Sequence, residues 1–393
     1  MTRKTLPVLL FLAALAAPAP AGEPTDATKA LMANRSGEAR KKALERYGGS
    51  AQSEAAVEAA LAWLARHQEA DGSWEPKKWD ADSSRQVRTG VTGLAVLVFL
   101  GAGYTEKNGK YADKVARALK WLVVQQKPDG GICDGARARE EGVGYNHAIA
   151  ALALAEAHAM TGNEACGAAA QKAVDYSIKV HQCPYSGWRY KPRESADTSV
   201  TGWYTMHLRV AKAAGLKVDG MGFQGAVSFV DVVSTKDGQC RYQPGTLPSS
   251  SMTAVGMVCR LFMGTPNTDA RIAKGAEHLL KELPDWNRAE VQAGGGSADL
   301  GYYYWYQGSL AMFQMGGEGW KKWNAAVQAA LLKNQRQGGA KDGSLVDTDG
   351  SWDPRKSTAD KTGGRVYTTA VAALTLETCY RYAPLSPEDG GAK

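Results

Sequence analysis

Residues 57–74, VEAALAWLARHQEADGSW, return at 115–132 as VARALKWLVVQQKPDGGI. Aligned on Trp63 and Trp121, both copies read Ala-Leu-x-Trp-Leu, then Gln68 and Gln126, then Asp71-Gly72 and Asp129-Gly130, a spacing of 58 residues. A period of that length suits a two-helix unit stacked on itself. In the first copy Ala56, Ala59, Ala60, Trp63 and Leu64 form one apolar stripe. Glu54, Glu58, Arg66 and Gln68 lie mostly off it, which predicts an amphipathic helix over 54–67.

Beyond each copy comes a polar, Gly-rich turn and then a run that is apolar nearly all round, LAVLVFLGAGY after the first and AIAALALAEAHAM after the second. A helix apolar on every side is a buried one. The same order of amphipathic helix, turn and apolar helix recurs with amphipathic helices near 167–182, 222–233, 269–282 and 320–335. Serines 249–251 stand where an N-cap is wanted before MTAVGMVCRLFMG. No stretch shows convincing strand alternation. The pattern predicts an all-α fold, an (α/α)6 toroid of six helical hairpins over 51–384, with apolar helices inside and amphipathic ones outside. Neither end carries the polar cap that an open solenoid needs, which favours closure.

Arg3 and Lys4, the apolar run 8–17 and Ala19-Pro20-Ala21 read as a signal peptide over 1–21, implying export to a periplasmic or extracellular space. Its loss lowers the formal charge from +7 to +5, too small an excess to mark a nucleic-acid binder. No later segment has the apolar length of a membrane span. Residues 22–50 read as a linker with one exposed helix near 38–47, and 385–393 as a flexible tail. Six cysteines contain no CxxC pair. Cys259 and Cys379 fall in apolar runs, while Cys133, Cys183 and Cys240 sit near successive turns and leave a bridge between turns open, with Cys166 unassigned.

The outer helix ending in Gln and followed by Asp-Gly-Ser-Trp, at 68–74 and loosely at 349–352, resembles the QW-type repeat of squalene–hopene cyclases, a double-helix unit also found in protein prenyltransferase β subunits. The resemblance covers about residues 51–382 and implies the toroid of the terpenoid cyclase and prenyltransferase superfamily. It also implies chemistry whose residues can be sought. Class II cyclases protonate an alkene with the middle Asp of a DxDD motif. The nearest match here is Glu194-Ser195-Ala196-Asp197, in which Ala196 occupies the proton donor's place. The prenyltransferase zinc site begins with Asp-x-Cys, which does not occur, and the Cys-Gly-Glu-Gln of thioester toroids is absent. No metal and no cofactor are expected.

In a toroid the N-terminal ends of the inner helices converge on one mouth. Those ends supply the candidate cavity-lining residues Arg88, Tyr145, His147, Asp197, Trp203, His207, Tyr303, Tyr304 and Tyr367. Asp197 also suits a plain N-cap, and His147 and His207 can be ordinary buried imidazoles. The missing motifs lead to the expectation of an exported binding toroid rather than an enzyme, with a small hydrophobic molecule, a glycan or a protein in its central cavity. A divergent isoprenoid cyclase or prenyltransferase and a glycan-active enzyme remain as alternatives.

Overall fold

The computed structural model describes residues 32–81, 87–134, 143–288, 300–338, 347–355 and 357–385. The segment read as a signal peptide and all but the first residue of the one read as a tail lie outside them. Helix α1, Gly37–Tyr47, precedes six hairpins. The outer helices are α2, Ala51–Arg66; α4, Ala112–Val124; α6, Glu164–Asp175, prolonged by a π-helical turn over Tyr176–His181; α8, Gly220–Val233; α10, Ala270–Lys281; and α12, Gly317–Leu332. Their inner partners are α3, Arg88–Gly101; α5, Val143–Thr161; α7, Thr198–Ala213; α9, Ser250–Phe262; α11, Tyr302–Met315; and α13, Thr358–Leu376, followed by the short α14, Thr378–Arg381. Each inner helix packs on the next, and α13 packs back on α3, so the ring is closed. The inner helices are buried along almost their whole length, as their all-round apolar runs require. One departure from the all-helical reading is a two-residue ribbon, β1 (Cys240–Arg241) against β2 (Pro248–Ser249), too short to leave a strand pattern.

The repeated residues are the rivets of this ring. Gln68 Nε2 donates to the Gly72 carbonyl of its own turn and to the Lys114 carbonyl of the next outer helix. Gln126 does the same to Gly130 and Ala169, Gln182 to Ser186 and Gly222, and Gln335 to Gly350 and Ala56, the last pair joining the sixth unit to the first. The turn glycines have left-handed φ and abut the neighbouring helix. A Cβ on Gly350 (φ +90°) would stand 2.3 Å from the Ala59 carbonyl oxygen. Trp74, Trp188 and Trp352 are fully buried and donate their indole N–H to the Leu64, Ser177 and Leu331 carbonyls of their own outer helices.

All six cysteines are free, so the bridge between successive turns is not made. Burial pushes the Cys133 thiol up to about 11 and Cys166 and Cys259 up to about 12, the behaviour of small core residues. The stretch read as a linker does more than connect. Its helix α1 is largely exposed, but Arg35 ahead of it is buried. Among the described residues no helix is long and apolar enough to cross a membrane.

Candidate functional site

The mouth is formed where the inner helices begin. At the start of α7, Asp197 is the N-cap: its Oδ1 accepts the Val200 N–H at 2.8 Å. Its Oδ2 is buried and makes no hydrogen bond of ordinary geometry, and Arg189 Nε stands 3.8 Å away. Burial pushes the carboxyl up to about 7, against the Val200 N–H, the Tyr242 hydroxyl and the Arg189 charge, which pull it down. An N-cap alone does not require this second oxygen.

Hydroxyl groups surround the carboxyl. Tyr145 Oη, from α5, donates to Ser199 Oγ at 2.9 Å, and Ser199 Oγ donates to Tyr303 Oη of α11 at 2.7 Å. The hydroxyls of Tyr190 and Tyr242 meet at 2.7 Å. Tyr242 is delivered by the β1–β2 ribbon, which is tied to α7 because Thr198 donates its N–H to the Tyr242 carbonyl and its hydroxyl to the Arg241 carbonyl. Burial and the Asp197 charge hold the Tyr145 phenol well above its ordinary range, so it stays a neutral hydroxyl. Arg189 also reaches toward Glu194, with Nη1 4.0 Å from Oε1.

Of the residues expected at the mouth, Asp197, Tyr145 and Tyr303 are brought together. The others are not part of this cluster. Arg88 pairs with Asp71 at 2.8 Å and lies over the Trp121 ring. Tyr304 turns to the outer layer, donating to the Glu282 carbonyl and meeting Trp323 edge-on. Tyr367 is half-buried on α13, opposite α7 in the order of the ring. Trp203 stacks on Tyr306 at 5.8 Å. These two belong to the third and fifth units, so the contact crosses the axis, as does Ser199 with Tyr303. Trp203 and Tyr306 are at most 2% exposed, so this pair is packed across the axis.

His147 has a structural position. The first residue of the inner turn, Trp74, Trp188, Cys240 or Trp352, donates its backbone N–H to Thr92, Thr201 or Thr253 one turn into the following helix, or to Thr369 one turn beyond the kink at Gly364 in α13. In the second unit Ile132 N–H donates instead to His147 Nδ1, whose Nε2 is engaged by Ser177 at 2.9 Å. His147 thus stands in for the threonine of its siblings. Burial, with His207 and His181 nearby, holds its pKa well below 6.5, and burial takes His207 down to about 3. Neither is placed as a proton carrier at the mouth.

The sequence alone does not single out Ser199, Arg189, Tyr190 and Tyr242. Ser199 lies two residues beyond Asp197 and was reachable from the helix start. Tyr242 was not, because only the ribbon brings it to α7. Among the described residues no cluster of His, Cys, Asp and Glu could hold a metal ion. A groove of about 910 Å³ lies at the other end of the ring, walled by Tyr47, Phe313, Trp320 and Asn324.

No protein-family model and no curated protein sequence matches the chain. Solved structures do. The type II terpene cyclase MstE from Scytonema, in its apo form, matches with a TM-score of 0.53 at 16% identity over 83% of this chain and 98% of its own. A wild-type glycosidase matches with a TM-score of 0.54 at 15% identity over 84% and 97%, and an α-amylase from Clostridium perfringens with 0.54 at 11% over 82% and 97%. The chain therefore has the terpenoid-cyclase-like α/α-toroid fold, an architecture it shares with glycosidases.

Proposed function

We propose that this chain is an exported ligand-binding toroid whose ligand docks at the mouth against Asp197, not in an axial cavity. The observation that carries the proposal is the buried Asp197 Oδ2, which makes no hydrogen bond of ordinary geometry although the Tyr242 hydroxyl and Arg189 lie near it, set among Ser199, Tyr145, Tyr190 and Tyr303. A buried polar atom left unpaired costs about 1–3 kcal/mol, which a ligand group able to hydrogen-bond would recover. The lining suits a polyhydroxylated ligand, since a neutral carboxyl donates, a carboxylate accepts and the hydroxyls do both. Export is supported by Arg3 and Lys4, the apolar run after them and the Ala19-Pro20-Ala21 pattern.

A glycan-active enzyme is the second reading. It is favoured by the raised Asp197, a protonated acid near neutral pH, by Glu194 across Arg189, and by the glycosidase and amylase among similar structures. An isoprenoid cyclase has less support, because Trp203 and Tyr306 occupy the axial space that an apolar chain would need.

A thermal-shift panel of malto-, cello- and chito-oligosaccharides and farnesol, run on wild type and Asp197→Asn, tests the proposal. A saccharide should raise the wild-type Tm and bind the variant roughly 10- to 100-fold more weakly. Product release from the same sugars would move the assignment to the enzyme. A ligand held equally by both proteins would remove Asp197 from the site.

A further inference from the structure

At the axial end opposite the mouth lies a second built site, unrelated to the reading above. Arg35, in a 3-10 turn over Ala33–Arg35 that belongs to none of the six hairpins, is 1% exposed. Its Nη1 donates to Glu156 Oε2 at 2.7 Å, and its Nε donates to the Arg381 carbonyl at 2.8 Å. The Leu100 carbonyl and Met160 sulfur each lie 3.4 Å from Nη1, and the guanidinium carbon sits 5.2 Å from the centre of the Tyr382 ring. Glu156 is fully buried. Burial raises its carboxyl, but the Arg35 and Arg381 charges overcome that and hold it below the usual range. Tyr382 and Arg381 also donate to it.

Everything that receives Arg35 comes from the far ends of α3 and α5 and from the α14 segment, so the socket belongs to the ring itself. The segment bearing Arg35 is held in a different manner from the ring. Of the eleven residues of α1 only Ala43 is buried. Apolar anchors are Met32, buried in the core, and Leu44 and Tyr47, which pack against it, Tyr47 edge-on to Phe313; the polar ones are Arg40, which donates to the Ala102 carbonyl and to Tyr380 and pairs with Glu54 at 2.7 Å. Gly103 (φ +84°) lies under the Arg35 carbonyl, where a Cβ would come within 2.6 Å of the oxygen. Apolar contacts and Arg40 hold the rim of this segment, and the buried Arg35 fixes its start into the ring.

We infer that the far end of the axis is a guanidinium-binding site, built from Glu156, the Leu100 and Arg381 carbonyls and the Tyr382 ring, and that residues 32–47 are a latch held there by Arg35 as a tethered ligand. Planarity and directed donors distinguish such a socket from one that merely wants positive charge.

The test uses the full mature chain with Arg35→Ala and Arg35→Lys. Arg35→Ala should lose on the order of 5–10 °C in Tm and raise hydrogen exchange across 32–47. Methylguanidinium at ~10 mM should recover part of that Tm, and methylammonium at equal strength should not. Arg35→Lys keeps the charge without the fork and should resemble Arg35→Ala. If Arg35→Ala does not fold, the same two salts are compared on the refolding yield of Arg35→Lys. An unchanged Tm in Arg35→Ala, equal rescue by the two cations, or a lysine variant as stable as wild type would each overturn the assignment.

Discussion

Replacing Asp197 by Asn should make the protein more stable at neutral pH and no more stable in acid. The carboxyl has a folded pKa of about 7 against the usual 3.8, so the folded chain holds a proton there that the unfolded chain has released. A raised folded pKa means stability present below about pH 4 and lost as pH rises toward 7, at about 1.4 kcal/mol per unit. Over roughly three units the loss approaches 4 kcal/mol as an upper figure. Asn keeps an oxygen for the Val200 N–H and is as good an N-cap, but has no charge to bury. The stability difference between variant and wild type should be small at pH 4 and reach its full size by pH 7.5. Urea unfolding of both proteins across this range measures it. His181, held down to about 4 by burial, and His207, at about 3, lose stability as pH falls below 6.5, but they do so in both chains and cancel. A difference that does not change with pH, or a variant less stable at pH 8, would refute the claim that Asp197 is an uncompensated buried carboxyl.

Two other variants probe the frame. Gln335→Ala removes one hydrogen bond from the sixth unit to the first and one within its own turn, and should cost about 1–3 kcal/mol in urea unfolding, comparable to Gln126→Ala in an interior seam. No cost at Gln335 beside a clear cost at Gln126 would argue that the ring is open. His147→Ala strands the buried Ile132 N–H and empties the space against Tyr176 and Tyr204, for a loss of about 2–4 kcal/mol, while ligand affinity at the mouth should stay within a few-fold. A large loss of affinity without a loss of stability would restore His147 to the site.

The fold was legible because its rivets are local and repeated. Gln68, Gln126, Gln182 and Gln335 each bond to their own turn, so the same residues recur at the same place in each of these units. Asp197, Tyr145 and Tyr303 could be found for a related reason: residues at the start of inner helices must face one end of a closed ring. The contacts across the axis could not be read. Trp203 with Tyr306 and Ser199 with Tyr303 are contacts between non-neighbouring units, invisible to any periodicity. The same holds for Arg35 and Glu156, 121 residues apart, and for Tyr242, carried by a ribbon with two residues per strand. The role of His147 did leave a trace. Thr92, Thr201, Thr253 and Thr369 each precede a Gly or Ala near the buried part of their inner helix, and His147-Ala148 occupies the fifth such place.

The most direct test of the central claim is the crystal structure of the chain with whichever compound of the panel raises its Tm. The account places a hydrogen-bonding group of that compound within about 3.2 Å of Asp197 Oδ2 and beside Ser199 and Tyr303. A ligand seated instead in the groove walled by Tyr47, Phe313 and Trp320, with Asp197 untouched, would contradict it.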